Sequence, residues 1–355
     1  MKILFFNAST NIGGIESVFF TYATGLSNLG HDVYYVSCWD KGDFENVLPE
    51  GVHFVGLGNV RLRYSLFRIR RLLKKIRPDV IITANDSTLI AFLAKLFIGF
   101  KIRIVTSQHS YLDNSDTLFY SKFIVRYVFP RCNKVIAVSN GIAEMLKSKY
   151  GLKDSLIEVL NNPIDLERIT FFSNQYPITD SASYFVFVGR MTTVKNLKFL
   201  INAYDYYRSK LGNYSLVLIG DGPERRNVEA IASTSKYSSS IIFTGVKSNP
   251  YPFIKHSKLL LLPSTSEAFP VVLIEAMALG VTCVSTPTKG GKDILEDGKI
   301  GYISKDSCDY KEFASTINAA IKNPIDKTKL INTVESRFGL DSKVNSFMHI
   351  INNLW

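Results

Sequence analysis

Cysteine is scarce in this sequence, and no two cysteines lie close together. The four are Cys38, Cys132, Cys283 and Cys308, so the chain has neither a CxxC redox pair nor the spacing of a zinc site. This composition excludes a small secreted domain held together by disulfides. We expect the protein to work in a reducing compartment, the cytoplasm.

Long apolar runs are also missing. The first run, residues 3–6, is too short for the apolar part of a signal peptide. The most apolar helix candidate, residues 89–100, is interrupted by Lys95 and falls short of the roughly 20 residues that cross a bilayer. We therefore expect attachment to a membrane surface at most.

Acidic residues are absent from the most basic segment, residues 61–78. Its cations are Arg61, Arg63, Arg68, Arg70, Arg71, Lys74, Lys75 and Arg77. Its apolar residues recur at helical spacing, at Leu62, Leu66, Ile69, Leu73 and Ile76, which predicts one amphipathic helix ended by Pro78. Two interpretations stay open: a solvated basic face, or a face that binds anionic lipid headgroups or a lipid-linked pyrophosphate. Phe67 and Leu72 lie off the apolar stripe, which slightly favours the second.

The formal charge of the chain is +11, and it is not confined to a tail. Residues 1–165 hold 20 Lys and Arg against 14 Asp and Glu, and residues 166–355 hold 22 against 17. An anionic partner is therefore indicated. Nucleic acid is disfavoured, because single-strand binding needs exposed aromatics among the cations, and the aromatic residues here fall mostly at strand positions.

Short apolar runs alternate with helical patterns along all 355 residues. This alternation predicts an α/β fold with parallel sheets, and the length favours two domains. The predicted strands are residues 2–7, 33–37, 53–57, 79–83, 102–106, 134–138 and 157–160, then 184–188, 216–219, 241–244, 259–262, 281–285 and 302–304. Residues 165–183 show no clear period, which predicts the link between the domains. Residues 286–301 are rich in Gly and Lys, which predicts a loop.

Residues 258–285 carry two carboxylates on one strand–loop–helix unit. Glu267 follows the strand, and Glu275 lies inside a helix that begins near Pro270 and ends at Gly280. Eight helical residues separate two side chains by about 80° and about 12 Å, whereas glycosidase carboxylates lie roughly 5–9.5 Å apart. One extended ligand contacted at two places fits better. The alternative is that Glu267 is only a charge at the helix start and that Glu275 is a solvent-facing helix residue.

Further candidates follow other predicted strands. Gly13 and Gly14 separate the first strand from the first helix, where they form a tight turn or let backbone N–H groups approach a ligand. His109 lies just past a strand end, a position that suits either a site or a structural role. Arg190 and Lys195 bracket a strand-to-helix loop. Two cations and a helix N-terminus therefore converge there, as a diphosphate requires.

The constellation resembles a known family. Glu267 and Glu275, within SEAFPVVLIEAMALG, closely resemble the E-x7-E signature of the retaining family 4 glycosyltransferases, of the bacterial surface-polysaccharide type. The stretch from Val188-Gly189-Arg190 to Lys195-Asn196 is similar to that family's phosphate-binding motif. Further similar pieces follow in the family's order, namely Gly13-Gly14, residues 161–165, Gly220-Asp221-Gly222-Pro223, Phe243-Thr244-Gly245 and Gly290-Gly291.

The resemblance implies a GT-B architecture, in which two Rossmann-like, doubly wound parallel-sheet domains face a central cleft. Residues 1–165 would bind the acceptor, and residues 166–338 would bind the nucleotide-sugar. Residues 339–355 would form a helix that crosses back to the first domain.

The resemblance also implies the roles of the site residues. Arg190 and Lys195 would hold the donor diphosphate, Glu275 the ribose hydroxyls, and the backbone around Val246 the base. The sugar and leaving phosphate would be held by Glu267 and by the N–H groups of Ala268, Phe269 and Val271. His109 would reach the sugar from the first domain, and Gly13 and Gly14 would let that domain close on the phosphates. Position 268 holds alanine where the family commonly has glycine, and the extra methyl group narrows the expected sugar pocket.

Metal-independent catalysis is expected. The acidic pairs Asp40 with Asp43 and Asp306 with Asp309 do not have the spacing of an Asp-x-Asp metal motif. Arg190, Lys195 and a helix dipole can neutralise the leaving diphosphate instead. The resemblance implies retention by front-face attack, with the departing phosphate accepting the acceptor's proton. No cofactor other than the UDP-sugar substrate is expected.

The predicted function is transfer of a hexose or N-acetylhexosamine from a UDP-sugar to a lipid-linked or other membrane-proximal glycan. The product would be a surface polysaccharide such as O-antigen, capsule or exopolysaccharide. The protein would lie on the inner face of the cytoplasmic membrane, attached through residues 61–77. Alternatives left open are another GT-B enzyme, such as a UDP-sugar epimerase, and a transferase with a soluble acceptor.

Overall fold

The computed structural model describes residues 1–8, 14–39, 51–96, 98–112, 119–176 and 183–355. The strands in these residues are β1 Lys2–Asn7, β2 Asp32–Ser37, β3 Val52–Gly56, β4 Val80–Ala84, β5 Arg103–Gln108, β6 Lys134–Ala137, β7 Ile157–Val159, β8 Tyr184–Val188, β9 Ser215–Ile219, β10 Ile241–Gly245, β11 Leu259–Leu262, β12 Cys283–Ser285 and β13 Tyr302–Ile303. The α-helices are α1 Gly14–Asn28, α2 Leu66–Ile76, α3 Ser87–Lys95, α4 Phe119–Tyr127, α5 Asn140–Ser148, α6 Leu166–Ser173, α7 Leu197–Lys210, α8 Arg225–Ser233, α9 Tyr251–His256, α10 Val271–Ala278, α11 Lys289–Ile294, α12 Tyr310–Lys322, α13 Lys327–Phe338 and α14 Leu340–Asn352.

The chain divides into two compact units. The N-terminal unit comprises Met1–Pro163 together with Leu340–Trp355, and the C-terminal unit comprises Ile164–Gly339. Each unit is built on one sheet in which every recorded strand pairing is parallel. The strand orders are β3-β2-β1-β4-β5-β6-β7 and β10-β9-β8-β11-β12-β13. Two parallel-sheet, Rossmann-like domains are therefore confirmed.

Helices cover both faces of the N-terminal sheet. Ile3 and Phe5 of β1 pack with α1 and α14 in one apolar cluster. Leu4 and Phe6 point to the opposite face and pack with α2 and α3 in another. Successive residues of a strand face opposite sides of its sheet, so a continuous apolar strand is buried on both sides, as parallel sheets require.

The C-terminal sheet is also built from apolar strands that pack against helices. Phe185 and Phe187 of β8 are fully buried in a cluster that includes residues from α7 and α12. The apolar strands β9 and β11 contribute alternate residues to that cluster. The short apolar runs of the sequence thus form the interior of the unit, because they supply buried side chains at every second position.

Each sheet reverses its strand order at one place, between β1 and β4 and between β8 and β11. Ligands of open α/β sheets bind at such switch points, outside the carboxyl ends of the strands. The loops that follow these four strands are therefore the positions to search for function.

Two sequence-based predictions of secondary structure are wrong. Residues 165–183 were predicted to be a link, but they contain α6, whose first turn is capped where Asp165 Oδ1 accepts a hydrogen bond from Arg168 N at 2.9 Å. Residues 286–301 were predicted to be a loop, but they contain α11, where Thr288 Oγ1 accepts from Gly291 N at 3.1 Å. Both helices are too short to show a clear apolar period.

The basic segment is divided rather than one continuous helix. A 3-10 turn occupies Leu62–Tyr64, and α2 begins after Ser65. In α2, Ile69, Leu73 and Ile76 are buried. Leu72, which was placed off the apolar stripe, packs against the same core cluster. Among the described residues, no helix is both long enough and apolar enough to cross a membrane.

Candidate active site

Two glycine turns fix the loop that follows β8. A Cβ on Gly220, whose φ is +133°, would lie 2.0 Å from Gly189 O, and a Cβ on Gly222 would lie 2.3 Å from Met191 O. Met191 N also donates to Asp221 O at 2.8 Å. The loops after β8 and β9 can pack this closely only because glycine occupies both positions. The path of the chain between Gly189 and Lys195 is thereby set.

The loop after β8 is also tied to the loop after β11. Thr265 N donates to Val194 O at 2.9 Å, which joins the two strands of the switch point. Lys195 ends a 3-10 turn there, and its Nζ lies 2.5 Å from Glu267 Oε1. The Lys195 and Glu267 side chains are only 20% and 13% exposed. Two residues predicted from separate motifs are therefore in direct contact, whereas Arg190 is exposed on the same loop.

A third glycine supports the Glu267 loop. Gly290 N donates to Glu267 O at 3.0 Å, and a Cβ on Gly290 would lie 2.7 Å from the carbonyl group of Ala268. The start of α11 thus packs directly on the backbone that carries Glu267. Any side chain at position 290 would push that backbone away.

The first turn of α10 lies beside Glu267. Pro270 precedes the helix, which begins at Val271. Phe269 is 9% exposed, and its ring packs edge-on against Phe338 with 5.8 Å between centroids. This packing fixes the backbone of residues 268–271, so the first-turn N–H groups and the positive end of the helix dipole are at the carboxyl edge of the sheet.

Glu275 has a partner that the sequence did not reveal. Tyr251 Oη donates to Glu275 Oε1 at 3.1 Å. Burial raises the pKa of Glu275, and the hydrogen bond from Tyr251 lowers it in part. Burial and the neighbouring Glu275 charge raise the pKa of Tyr251. Tyr251 therefore stays a hydrogen-bond donor and orients the carboxylate of Glu275.

The loop after β10 carries the position predicted to meet the base. Gly245 adopts φ +71°, and its carbonyl accepts from Gly220 N at 2.9 Å. Val246 follows and is 72% exposed. The backbone around Val246 is thus presented at the carboxyl edge, and the same loop leads into α9 and Tyr251.

The other predicted site residues belong to the N-terminal unit. Gly14 begins α1, and a Cβ there would meet no described atom within 4 Å. Gly13 lies outside the described residues. His109 follows β5 directly and is partly buried.

The hydrogen bonds of His109 define its tautomer. Its Nε2 lies 2.8 Å from Ser107 Oγ, which itself lies 3.2 Å from Thr83 O. A carbonyl only accepts, and serine has one hydroxyl proton. Both contacts are hydrogen bonds only if Ser107 donates to Thr83 and His109 Nε2–H donates to Ser107. Burial lowers the pKa of His109 to about 4, so the ring is neutral near pH 7 and its Nδ1 is an acceptor.

Among the described residues, no group of three or more His, Cys, Asp and Glu side chains is arranged to hold a metal ion. The acidic pair at Asp306 and Asp309 instead serves local structure. Asp306 Oδ1 accepts from the backbone of Cys308 and Asp309, and Asp309 caps α12.

Comparison with known families accounts for both units. The family model described as Glycosyl transferases group 1 matches residues 168–337, and the model described as Glycosyltransferase Family 4 matches residues 12–168. The chain is built from these two glycosyltransferase family domains. Its recognition from the E-x7-E and phosphate-loop motifs is thereby confirmed.

Two curated relatives of this glycosyltransferase are named for sugar transfer to a diphospho-undecaprenol-linked glycan and to lipopolysaccharide. It is 26% identical over 322 residues to the N-acetylgalactosamine-N,N'-diacetylbacillosaminyl-diphospho-undecaprenol 4-alpha-N-acetylgalactosaminyltransferase of Campylobacter jejuni, with 85% of each chain covered. It is 24% identical over 344 residues to the lipopolysaccharide 1,6-galactosyltransferase of Salmonella typhimurium, with 92% of this chain and 91% of the relative covered.

Solved structures show the same fold. The glycosyltransferase matches the Anabaena protein Alr3699/HepE in complex with UDP and glucose with a TM-score of 0.82, at 18% identity, over 99% of this chain and all of that one. It matches the apo lipopolysaccharide outer core galactosyltransferase WaaB with a TM-score of 0.76, at 23% identity, over the whole of both chains. The GT-B fold is confirmed by these likenesses.

Proposed function

We propose that this glycosyltransferase moves a hexose or N-acetylhexosamine from a UDP-sugar to a lipid-linked or other membrane-proximal glycan, with retention of anomeric configuration and without a metal ion. The product is a surface polysaccharide. The observation that carries the proposal is the Lys195–Glu267 contact at the β8/β11 switch point, beside the start of α10.

This contact suits a site for an anionic leaving group. A largely buried ammonium with one carboxylate partner is ready to exchange that partner for a diphosphate, which carries more charge. Arg190 lies exposed on the same loop and adds a second cation. Together with the dipole of α10, the two cations neutralise the charge that develops on the leaving oxygen. Glu267 is then released to face the donor sugar.

The nucleoside is held further along the same sheet edge. Tyr251 fixes one oxygen of Glu275, so the other oxygen is oriented to accept hydrogen bonds from the ribose. The backbone around Val246 contacts the base. This arrangement recognises the donor through its UDP part, consistent with the UDP complexes named among the structural neighbours.

Transfer itself exchanges one C–O bond for another. The bond from the anomeric carbon to the β-phosphate oxygen breaks, and its electron pair leaves with UDP. The acceptor hydroxyl attacks from the same face, and its proton passes to the departing phosphate oxygen. Lys195 and Arg190 stabilise that oxygen throughout. Neutral His109, with Nδ1 as an acceptor, takes a hydrogen bond from a sugar hydroxyl.

The N-terminal unit supports a membrane-proximal acceptor. The exposed face of α2 carries Arg71, Lys74 and Lys75, while Phe67 is 77% exposed. A cavity of about 460 Å³ is lined in part by Arg61 and Arg63 of the preceding segment. Cations beside exposed aromatic residues suit an anionic membrane surface, which we place at the inner face of the cytoplasmic membrane, and the diphosphate of a lipid carrier. The Campylobacter relative's name specifies a diphospho-undecaprenol substrate.

The test is UDP release from a panel of UDP-sugars in the presence of EDTA, with and without a bacterial membrane extract. We expect release from one donor, stimulated by the extract and unaffected by EDTA. Anomeric NMR signals of the product should match those of the donor. Loss of activity with EDTA would overturn metal independence, and failure to bind any UDP-sugar would overturn the donor assignment.

A further inference from the structure

A second cavity lies in the N-terminal unit, apart from the residues assigned to the donor. It has a volume of about 140 Å³ and is lined by polar side chains at the carboxyl ends of β4 and β5, together with residues of α4. The polar residues that matter are Asn85, Asp86, Gln108, Ser110 and Ser121. The cavity therefore adjoins one strand of the β1/β4 switch point, where open α/β sheets bind ligands.

Gln108 is the decisive residue of this cavity. It is only 1% exposed, and its Nε2 donates to Ser110 O at 2.7 Å. Its Oε1 is buried and accepts no hydrogen bond from any described residue. A buried amide oxygen without a donor is unfavourable. A ligand in the cavity that presents an O–H or N–H group would satisfy it.

Asp86 adds a second acceptor to the same cavity. The residue precedes α3, but its side chain caps none of the N–H groups of that helix. Ser121 Oγ donates to its Oδ1 at 3.3 Å, which leaves Oδ2 to accept from a ligand. A carboxylate repels phosphate groups. The lining therefore selects a neutral ligand rich in hydrogen-bond donors.

We infer that this cavity is a subsite for one pyranose ring of the acceptor glycan, bound through hydroxyl or acetamido N–H groups to Gln108 Oε1 and Asp86. The inference rests on the proposed function, which makes the second substrate a glycan. The volume of about 140 Å³ suits one sugar ring rather than a longer chain. Ile124 and Phe129 supply an apolar wall for the C–H face of the ring.

Asp86 also places the proposed sugar ring relative to the basic segment. Asp86 lines both this cavity and the larger one that contains Arg61 and Arg63. A sugar held by Asp86 therefore lies next to two cations, whose combined charge exceeds that of Asp86 and suits the phosphate of a lipid-linked acceptor.

Binding of simple glycosides to the full-length protein tests the subsite. The probes are methyl hexosides and methyl N-acetylhexosaminides in both anomeric forms, observed by saturation-transfer NMR with and without excess UDP. We expect at least one glycoside to bind whether or not UDP is present. Asp86→Asn and Gln108→Met should each weaken its binding roughly tenfold, because each removes a ligand hydrogen bond.

The variants are matched to controls. In Asp86→Asn the amide oxygen still accepts from Ser121, so the fold and the affinity for UDP should not change. Asp154→Asn alters an exposed carboxylate of the same unit that pairs with Lys147, and it should leave glycoside binding unaltered.

Three outcomes would overturn the inference. The subsite is wrong if no glycoside of the panel binds, if Asp86→Asn and Gln108→Met bind as tightly as the unaltered protein, or if UDP displaces the glycoside. UDP binding is recorded in the same samples. Its failure would count against the proposed donor, whereas normal UDP binding without glycoside binding would remove only the subsite.

Discussion

The Lys195–Glu267 contact places opposite charges where the donor diphosphate is proposed to bind. The two side chains are mostly shielded from water, so neither charge is well solvated without the other. The pair therefore keeps the loops after β8 and β11 ordered before the donor arrives. In the proposed mechanism, a diphosphate that binds Lys195 frees Glu267 beside the sugar.

Replacing Lys195 tests its role at the leaving group. We expect Lys195→Ala to lower kcat by about 10²–10³, the loss typical of removing one donor to a developing oxyanion. Steady-state kinetics with the active UDP-sugar measure this effect. Lys198→Ala, at an exposed position on α7, is the matched control. A Lys195→Ala enzyme with unchanged kcat would contradict the assignment.

Tyr251 should act through Glu275. Tyr251→Phe removes the hydroxyl that donates to the Glu275 carboxylate, so we expect UDP to bind roughly three- to tenfold more weakly. The effect should disappear in a Glu275→Ala background, because the two residues share one interaction. Calorimetric titration of UDP into the four proteins of this cycle gives the coupling. Additive losses would show that Tyr251 has only a general structural role.

His109 makes stability depend on pH. Burial holds its pKa at about 4, below the ordinary value of 6.5. Between these values the unfolded chain takes up a proton that the folded chain does not, so stability is full above pH ~6.5 and falls as the pH drops towards ~4. The loss attributable to His109 is up to roughly 3 kcal/mol. Urea unfolding of the wild type and of His109→Gln measures it.

The His109→Gln variant should lose less stability than the wild type over the same pH range, because it carries no group that titrates there. Carboxylates titrate in both proteins and cancel in the comparison. Parallel pH curves for the two proteins would contradict the buried, neutral histidine.

At the scale of the elements, the role proposed for α2 is membrane attachment, and it rests on surface charge. Arg71, Lys74 and Lys75 are exposed on it, and each cation near an anionic bilayer contributes about 1 kcal/mol. The Arg71→Ser, Lys74→Ser, Lys75→Ser triple variant should therefore bind anionic vesicles about 100-fold more weakly at low salt. Sedimentation with phosphatidylglycerol-containing vesicles measures the partition.

A matched control variant distinguishes the effect of the α2 surface on vesicle binding from the effect of net charge. Lys198, Lys210 and Lys236 are exposed cations of the C-terminal unit. Their replacement by Ser changes the net charge equally and should leave vesicle binding nearly unaltered. Equal losses in both triple variants would mean that overall charge, and not α2, attracts the membrane.

The elements also show what could be predicted from the sequence. Strand β8 lies where it was predicted, and a helix follows the loop that Arg190 and Lys195 bracket, because an apolar run and then a glycine mark the end of the strand. The α6 helix was missed, since it has only eight residues. The contact of Tyr251 with Glu275 joins residues 24 positions apart, and it follows from the packing of α9 against α10 rather than from any local pattern.

The same reasoning applies to the site. Glycines at 220, 222 and 290 were visible as motif positions, but the backbone contacts that require them appear only in the folded chain. The pairing of Lys195 with Glu267 was likewise absent from the predicted roles. Gln108 was not among the predicted site residues. Its unpaired buried oxygen depends on how β5 and α4 pack.

At the scale of the whole molecule, the N-terminal unit is assembled from both ends of the chain. The α14 helix packs on α1, where Phe347 stacks on Tyr22 with 4.7 Å between ring centroids. A Cβ on Gly25 would lie 2.4 Å from Val344 Cγ2, so the two helices approach very closely. The last helix is therefore part of the core of the first unit.

Truncating Phe347 should destabilise the N-terminal unit. The side chain is 1% exposed, and Phe→Ala at such a site costs about 3–5 kcal/mol. Urea unfolding should show this loss, while the affinity for UDP, which we propose the C-terminal unit carries, should stay close to that of the wild type. Phe123→Ala, at a 42% exposed position on α4, is the control. A loss of equal size in both variants would contradict the packing role of α14.

Because the chain returns to its first unit, the two units are completed in a defined order during translation. Synthesis proceeds from the N-terminus, and domains generally fold as they emerge. Here, residues 1–163 emerge first but lack Phe347 and Ile351, which complete one of their apolar clusters. The C-terminal unit is the first to have its entire sequence available. The nascent N-terminal sheet must therefore keep one face partly uncovered until α14 has been synthesised, and a chaperone that binds apolar surface would find its target there.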